Sequence, residues 1–437
     1  MVKAISEYVN PRLRPPQLVA YKATADVLSK SVTLVVTVAA ARLLAPEAFG
    51  VLALAMTTGW ILGVASDAGL PLYLARAVAR DAAATAVVVR DVMRWRVAFA
   101  AVALIVGMLV AGVFAPVGYA TAFALIVTAQ LAGAALETLS HVFRGLGRSE
   151  IESTLTIAQR LAAGLLIAAV LVWQPSLLLV ATALLVPPVV AVCVSFALAL
   201  RLATPIITPP VAPRLTLARF SKDAAPIGLG VLLSAIYFRC DVYFVNYWHG
   251  LDTVGMYNAV FRLVEALRLF PAAVLAVVFP DLCRASSGRP LKRLSRVLVA
   301  VGALAAAVTI AAAPGIVHVA YGDAYAAAAA PLQVLALALP LFFLNYALTH
   351  QVIAWDGQRQ YLVITCVALI SNVVGNVLLI PGQGMLGAAW STLLTECAVS
   401  MGCLLALRRR VANTAAGPAP NLTIADNPAT LLEGDTP

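Results

Sequence analysis

Apolar stretches long enough to cross a lipid bilayer recur along the whole chain, from Val19 to Leu407. A spanning helix needs about 20 mostly apolar residues, and a sliding hydropathy window predicts twelve such segments. The predicted spans are 19–43, 51–75, 95–114, 118–142, 151–173, 177–200, 225–247, 254–279, 296–319, 328–353, 360–380 and 385–407. The alternating pattern of barrel strands is absent, and backbone groups in lipid must be satisfied internally, so these spans are predicted to be helices.

The composition agrees with a chain that is almost entirely embedded in a membrane. Hydrophobic residues make up 62% and charged residues 11% of the sequence, and the mean hydropathy is +0.94. Soluble domains contain about 45–50% apolar residues and about 25% charged residues. We therefore predict the fold class all-α integral membrane, with about 12 transmembrane helices. The net charge of +10 would indicate nucleic acid only in a soluble protein, so no nucleic-acid partner is expected.

Motifs that carry catalysis or bind metal are absent from the sequence. The six cysteines show no metal-ligand spacing, and there is no phosphate-binding loop of the kind that ATPases use. The predicted outside loops are too short to hold a sugar donor as a membrane glycosyltransferase would. We predict that the protein is not an enzyme and that it has no resident cofactor or metal.

The basic residues predict the orientation of the chain. If the N-terminus is cytoplasmic, the inside segments hold twenty-four of the 30 Lys and Arg residues, and the outside segments hold only Arg42. Such an alternation follows the positive-inside rule. We therefore expect a multi-pass protein of the cell inner membrane with both termini in the cytoplasm.

Weak internal repetition indicates that the chain has two halves. The segment 47–52 resembles 252–257, and 147–150 resembles 357–360, with offsets of 205 and 210 residues. These offsets predict an N-terminal six-helix bundle over 1–205, a C-terminal six-helix bundle over 206–410 and a disordered cytoplasmic tail over 411–437. Transporters often carry such repeats, with the substrate site between them.

Away from the ends of the predicted spans there are eleven ionisable residues, and they concentrate on four helices. Eight of the eleven lie on helices one, two, seven and eight: Asp26, Lys30, Asp67, Arg239, Asp241, Arg262, Glu265 and Arg268. The other three, Glu137, Arg160 and Glu396, are expected to have structural roles. A charge at a helix centre costs about 2.5–3.5 kcal/mol on insertion scales, so it needs a partner, a wet cavity or a function.

The spacing of the polar residues predicts an aqueous groove. Asp26, Lys30, Thr33 and Thr37 lie on one face of helix one, and Asn258, Arg262 and Glu265 lie on one face of helix eight. The alternative is internal pairing without a substrate role, Asp26 with Lys30 and Arg262 with Glu265. For the whole cluster we favour a cavity between the halves.

Several ordered segments resemble the Wzx-type polysaccharide flippases of the multidrug/oligosaccharidyl-lipid/polysaccharide exporter (MOP) superfamily. The resemblance runs from about Ala20 to Arg410. It rests on these residues: Leu43-Leu44-Ala45-Pro46-Glu47-Ala48-Phe49-Gly50 with Asp67-Ala68-Gly69-Leu70; Asp241; Val254-Gly255-Met256-Tyr257; Tyr321-Gly322-Asp323 with Pro331-Leu332-Gln333; and Asn372 with Leu379-Ile380-Pro381 and Gly387-Ala388-Ala389.

This resemblance implies transfer of an undecaprenyl-diphosphate-linked oligosaccharide across the bacterial cytoplasmic membrane. The expected partners are that substrate, membrane lipids, and the polymerase and glycosyltransferases of one pathway. Arg239 and Arg262 would contact the diphosphate, with Arg268 and Lys30 in support. Asp26, Asp67, Asp241 and Glu265 would balance these cations, and one of them, Asp241 before the others, could bind a coupling cation, H⁺ or Na⁺. The alternatives are a multidrug or small-cation antiporter of the same superfamily and a lipid II flippase.

Overall fold

The computed structural model describes residues 15–71, 74–75, 78, 85–202, 225–284, 289–355 and 357–416. The α-helices in chain order are α1 (Pro15–Leu43), α2 (Pro46–Asp67), α3 (Thr85–Phe114), α4 (Ala120–Gly145), α5 (Ser149–Trp173), α6 (Leu177–Leu202), α7 (Ala225–Arg239), α8 (Asp241–Leu267), α9 (Leu269–Arg284), α10 (Arg289–Tyr321), α11 (Ala329–Leu337), α12 (Leu339–Ala354), α13 (Gln358–Gln383) and α14 (Met385–Ala416). Single 3₁₀ turns precede α4 and α11.

The all-α membrane fold predicted from the sequence is confirmed. Within the described ranges, nine helical segments are long and apolar enough to cross a membrane, and ten if the bent pair before and after Ala338 forms one span. One of the nine, Gly228–Leu275, folds back on itself and holds two predicted spans. Helix α1 supplies the first predicted span, so the twelve predicted spans all have a helical counterpart.

Gly250 lies inside α8 and makes the turn of a hairpin. The first arm of this hairpin is α7 with residues 241–249, and the second arm is residues 251–267. The φ of Gly250, 78°, lies in the left-handed region, which glycine adopts without a Cβ penalty. On either side of the turn, Arg239 hydrogen-bonds to Asn258, and Tyr257 to Asp241. These antiparallel contacts bring the charged residues on either side of the turn to the same depth in the membrane.

Two of the remaining helix breaks have a cause in the sequence. Pro271 follows the break at Arg268, and Pro340 follows the break at Ala338, where the chain bends by 40°. Proline lacks the N–H that would bond to the preceding turn, and its ring clashes with that turn. The first break, at Cys240, has no proline near it.

The two ends of the helix bundle differ in charge. We call the basic end the one that bears Arg144, Arg148, Arg293 and Arg359, and the opposite end the one that bears Arg42 and the turn at Gly250. At the opposite end, Arg42 donates to the backbone carbonyls of Val319 and Ala320, and Tyr325 donates to that of Ala41 at 3.0 Å. These bonds join α1 to the end of α10 and hold the opposite end closed.

Helix α2 makes close backbone contact with the hairpin. A Cβ at Gly50 would lie 2.0 Å from the carbonyl oxygen of Leu251, and one at Gly228 would lie 2.8 Å from the backbone of Ala68. Glycine is therefore needed at both places for the helices to approach. The chain positions 1–205 and 206–410 remain predicted domains, because their boundary falls between Leu202 and Ala225, outside the described residues.

Two helix limits differ from the prediction. Helix α3 begins at Thr85 instead of residue 95, so Arg96 lies well inside the helix instead of at its predicted start. Helix α14 continues to Ala416, into the predicted tail, and residues 417–437 lie outside the described part of the chain.

Candidate functional site

Arg262 and Glu265 on α8 form an ion pair whose two side chains are both partly exposed. Their side chains are 22% and 38% exposed, and Arg262 Nη1 lies 2.7 Å from Glu265 Oε2. At about 1.5 Å per residue, Arg262 lies roughly 18 Å along α8 from the turn at Gly250. The pairing anticipated from the i, i+3 spacing is present, yet both side chains remain accessible.

Arg160 on α5 faces Arg262 from the N-terminal half of the chain. Its side chain is exposed and lies within electrostatic range of both Arg262 and Glu137. Within the described residues it makes no hydrogen bond or ion pair of its own. Arg160 lies roughly 16 Å along α5 from Ser149, and its charge interacts with that of Arg262 in the C-terminal half.

Glu137 connects Arg160 to an ion-pair cluster at the basic end. It accepts from Arg144 at 2.9 Å, and Arg144 also binds Glu152 at 2.5 Å. Lys22 on α1 reaches Glu152 at 3.2 Å. This cluster ties α1, α4 and α5 together, so Glu137 does not offer a free negative charge to the groove.

Arg239 is buried and bonded through one guanidinium nitrogen, Nη2, while its buried Nη1 has no hydrogen-bond partner among the described residues. It is 3% exposed, donates to Thr57 Oγ1 at 2.9 Å and to Asn258 Oδ1, and stacks on Phe261 with its Cζ 4.7 Å from the ring centre. The bond to Thr57 crosses from α7 to α2. Here Arg239 holds the halves together, and contact with a substrate would require these bonds to open.

Arg268 lies at the break between α8 and α9, between two aromatic rings. Its Cζ is 4.3 Å from the centre of Phe238 and 4.4 Å from that of Phe342, and such contacts stabilise a desolvated cation. Glu265 lies within electrostatic range of Arg239, Arg262 and Arg268 together. The structure thus brings three of the eight predicted residues around a fourth, the carboxylate of Glu265.

Asp241 is buried one turn from that cluster. Its carboxylate accepts from Tyr257 Oη at 2.5 Å and from its neighbour's backbone N–H, that of Val242, at 2.9 Å. Arg239 lies within electrostatic range of it. Asp241 is buried and makes no ion pair among the described residues. Its role as the residue that binds the coupling cation stays a prediction.

Asp67 pairs with Arg96, which lies at the start of a predicted span and is not among the site residues predicted from the sequence. Arg96 Nη1 lies 2.6 Å from Asp67 Oδ1, and Arg96 is only 1% exposed. The Asp67–Arg96 pair joins the end of α2 to α3.

The two predicted residues of α1 are less defined. Lys30 is exposed and lies one turn before Thr33, which lines a cavity, while the side chain of Asp26 lies outside the described part of the chain. Glu396, predicted to be structural, accepts from Asn345 at 2.7 Å within the C-terminal half.

Arg160 and Glu137 are the site residues whose position the sequence did not indicate. Both are residues for which the sequence predicts a structural role. A signal for Arg160 existed in the adjacent polar residues Thr156 and Gln159, which place a polar patch on one part of α5. That patch is too short to be recognised without knowing what faces it.

The fold and the groove define a polytopic membrane transporter. A MATE family multidrug resistance transporter of the MOP superfamily, in an inward-facing conformation, superposes with a TM-score of 0.63 at 14% identity, covering 96% of this chain and 100% of that chain. The lipid II flippase MurJ, in an inward closed conformation, gives 0.65 at 14% identity, covering 89% and 87%. A MOP superfamily transporter from Pyrococcus furiosus gives 0.59 at 14% identity, covering 94% and 98%. At these identities the likeness shows the fold, which is that of MOP transporters.

The sequence also matches a protein family directly. Residues 17–286, more than half of the chain, match the family described as polysaccharide biosynthesis protein. The chain belongs to this family, and the resemblance to flippases of the MOP superfamily is confirmed. No curated protein matches the sequence.

Proposed function

We propose that the protein flips an undecaprenyl-diphosphate-linked oligosaccharide across the bacterial inner membrane for surface polysaccharide synthesis. The observation that carries this proposal is that Arg160 of the N-terminal half and Arg262 of the C-terminal half lie within electrostatic range of each other. Arg160 is exposed and makes no ion pair among the described residues. Like charges within this range repel, and an anion between them removes that repulsion. A diphosphate supplies two charges and several oxygens for forked guanidinium donors.

The basic end is proposed to face the cytoplasm, following the positive-inside rule. The groove, closed at the opposite end by Arg42 and Tyr325, would then receive the headgroup from the inside. The prenyl chain can remain in lipid while the headgroup passes, as the halves rock in alternating access. Lys30 is proposed to support binding of the diphosphate in the groove. Arg239 and Arg268 keep their contacts with the polar and aromatic side chains that surround the groove.

The two alternatives are a multidrug antiporter and a lipid II flippase, and the matched structures include one protein of each kind. An antiporter for cationic drugs needs a carboxylate that is free to bind its substrate. In the described groove, Glu265 is paired with Arg262 and Glu137 with Arg144. This pairing favours an anionic substrate.

The proposal is tested by binding of undecaprenyl diphosphate to the purified protein in nanodiscs. Arg262→Ala and Arg160→Ala should each weaken binding by about 10-fold or more, since hydrogen bonds to charged groups contribute roughly 1.5–3 kcal/mol. Arg293→Ala, at the exposed basic end, is the matched control and should bind normally. Unchanged binding and unchanged glycan export in the Arg160 and Arg262 double variant would reject the diphosphate site.

A further inference from the structure

Three basic side chains lie exposed on one face of α10 at the basic end. They are Lys292, Arg293 and Arg296, and they fall within an arc of about 100° around the helix axis, since a helix has about 3.6 residues per turn. Within the described residues none of the three forms an ion pair, and Arg296 donates only to the backbone carbonyl of Lys292, at 3.4 Å. Their remaining donors are therefore available to an anion.

Two basic residues at the same end of the N-terminal half are arranged differently, because each has an acidic partner. Arg144 forms an ion pair with Glu152, and Arg148 forms one with Glu150. The positive-inside rule requires basic residues at the cytoplasmic ends of helices, but it does not require them to lack acidic partners. Orientation alone therefore does not explain why three neighbouring cations of α10 have no counter-charge within the described part of the chain.

The three cations lie at the depth of the lipid headgroups. Helix α10 begins at Arg289 and ends at Tyr321, at the opposite end of the bundle. At about 1.5 Å per residue, Arg296 lies roughly 38 Å and Lys292 roughly 44 Å along the helix from Tyr321. The hydrocarbon core of a bilayer is about 30 Å thick, and the bilayer with its headgroups about 40–45 Å. A helix that crosses the whole bilayer therefore places these side chains beside the phosphates of one leaflet.

The same face of α10 continues toward the opposite end as an apolar surface. Every exposed residue from Val297 to Ala311 is apolar, and the larger ones are Val297, Leu304 and Val308. These three follow Arg293 at i+4, i+11 and i+15, so they lie on the side of the helix that carries the cations. Because exposed apolar surface is unfavourable in water, this surface lies against lipid chains. The cations and the apolar surface together match a molecule with a charged head and apolar chains.

We propose that the start of α10 binds an anionic phospholipid, such as phosphatidylglycerol, from the leaflet at the basic end. Arg293 and Arg296 offer forked donors to the phosphate oxygens, Lys292 adds a third positive charge, and the acyl chains lie along Val297 and Leu304. A soluble phosphate would use the cations alone, whereas a phospholipid in the leaflet contacts the cations and the apolar surface at once. The inference does not depend on what the groove transports.

The test compares two lipids at one position of the full chain in nanodiscs. A bimane fluorophore is attached to the cysteine of Val297→Cys, in a background without native cysteines. The nanodiscs are made of phosphatidylcholine and contain an equal small fraction of nitroxide-labelled phosphatidylglycerol or nitroxide-labelled phosphatidylcholine, which quench the fluorophore on contact. Phosphatidylglycerol should associate about 5-fold or more tightly, since one basic residue near an anionic lipid contributes roughly 1 kcal/mol.

The matched control position is Val97 on α3. Val97 is also exposed and lies one turn after Arg94, a cation that is paired with Asp91. With the fluorophore on Val97→Cys, the preference for phosphatidylglycerol should therefore be weaker than at position 297. An equal preference at the two positions would overturn the inference, because the overall charge of the basic end would then account for it.

Two sets of substitutions at the start of α10 test the cations themselves. The combined variant Lys292→Gln, Arg293→Gln and Arg296→Gln should lose the preference at position 297, while quenching by phosphatidylcholine stays the same. The variant Arg293→Lys with Arg296→Lys keeps the charges and should keep most of the preference. If the glutamine variant does not insert, the comparison of the two lipids and the two positions in the unsubstituted background decides by itself.

Three further results would each overturn the inference. The first is equal quenching by the two lipids at position 297 with all three cations present. The second is a preference that survives in the combined glutamine variant. The third is loss of the preference when excess inorganic phosphate is added at constant ionic strength, because the cations would then bind a soluble anion instead of a lipid.

Discussion

Arginine side chains within the helices of this protein take three kinds of environment. Arg96 is buried against one carboxylate, Arg268 lies between two aromatic rings, and Arg160 faces a groove. The first two arrangements use the charge to hold helices together, whereas the third leaves donors free. Exposure and partners, not the residue type, separate the structural arginines from those available to a substrate.

The Asp67–Arg96 pair predicts a large loss of stability on removal of the acid. Asp67→Asn would leave Arg96, 1% exposed, without its counter-charge, and breaking a buried pair from one side costs about 3–5 kcal/mol. Thermal unfolding in detergent should show a clear fall in the midpoint. The control is Asp91→Asn, whose partner Arg94 is 79% exposed, and there the loss should be about 0–1 kcal/mol. Equal midpoints for the two variants would contradict this assignment.

Asp241 and Glu265 are predicted to differ in their roles during transport. Asp241→Asn should still flip substrate passively in vesicles but lose its response to an imposed proton or sodium gradient, because the buried carboxylate is the proposed ion carrier. Glu265→Gln should lose substrate affinity, because Glu265 positions Arg262 at 2.7 Å. A normal response of Asp241→Asn to both gradients would move the coupling site elsewhere.

At the scale of elements, the contact between α1 and the end of α10 closes the opposite end of the bundle. Arg42 donates to the carbonyls of Val319 and Ala320, which are among the last of α10. These carbonyls have no partner within the helix and carry its negative dipole end. Arg42 on α1 therefore caps α10 of the C-terminal half. Its bonds to the two carbonyls must break when the opposite end opens.

Arg42→Gln is predicted to shift the protein toward the conformation that is open at this end. Loss of hydrogen bonds to a charged group removes about 1.5–3 kcal/mol, equivalent to roughly a ten- to hundredfold change in the ratio of conformations. Spin labels at the exposed positions Leu43 and Val319, in a background without native cysteines, would report the distance. An unchanged distance distribution in Arg42→Gln would show that this contact does not control opening.

For the whole molecule, the basic end is predicted to be cytoplasmic. In intact cells, an impermeant thiol reagent should label cysteines placed at Trp173 and Asp323, both highly exposed at the opposite end. It should not label a cysteine at Arg293 or Arg408 unless the membrane is opened. Labelling of the Arg293 position from outside would invert the orientation and with it the direction proposed for transport.

Hydropathy and charge spacing determined the class of this protein, because the cost of placing a residue in lipid depends mainly on that residue and its close neighbours. This local cost predicts the helical spans and the uneven distribution of basic residues. Short-range spacing likewise predicts the i, i+3 pair Arg262–Glu265. Only the tertiary structure decided which charges meet, since this depends on the rotation and depth of helices that are distant in the chain. It buried Arg96 against Asp67, engaged Arg239 with Thr57 and Asn258, and set Arg160 opposite Arg262 beside a cavity.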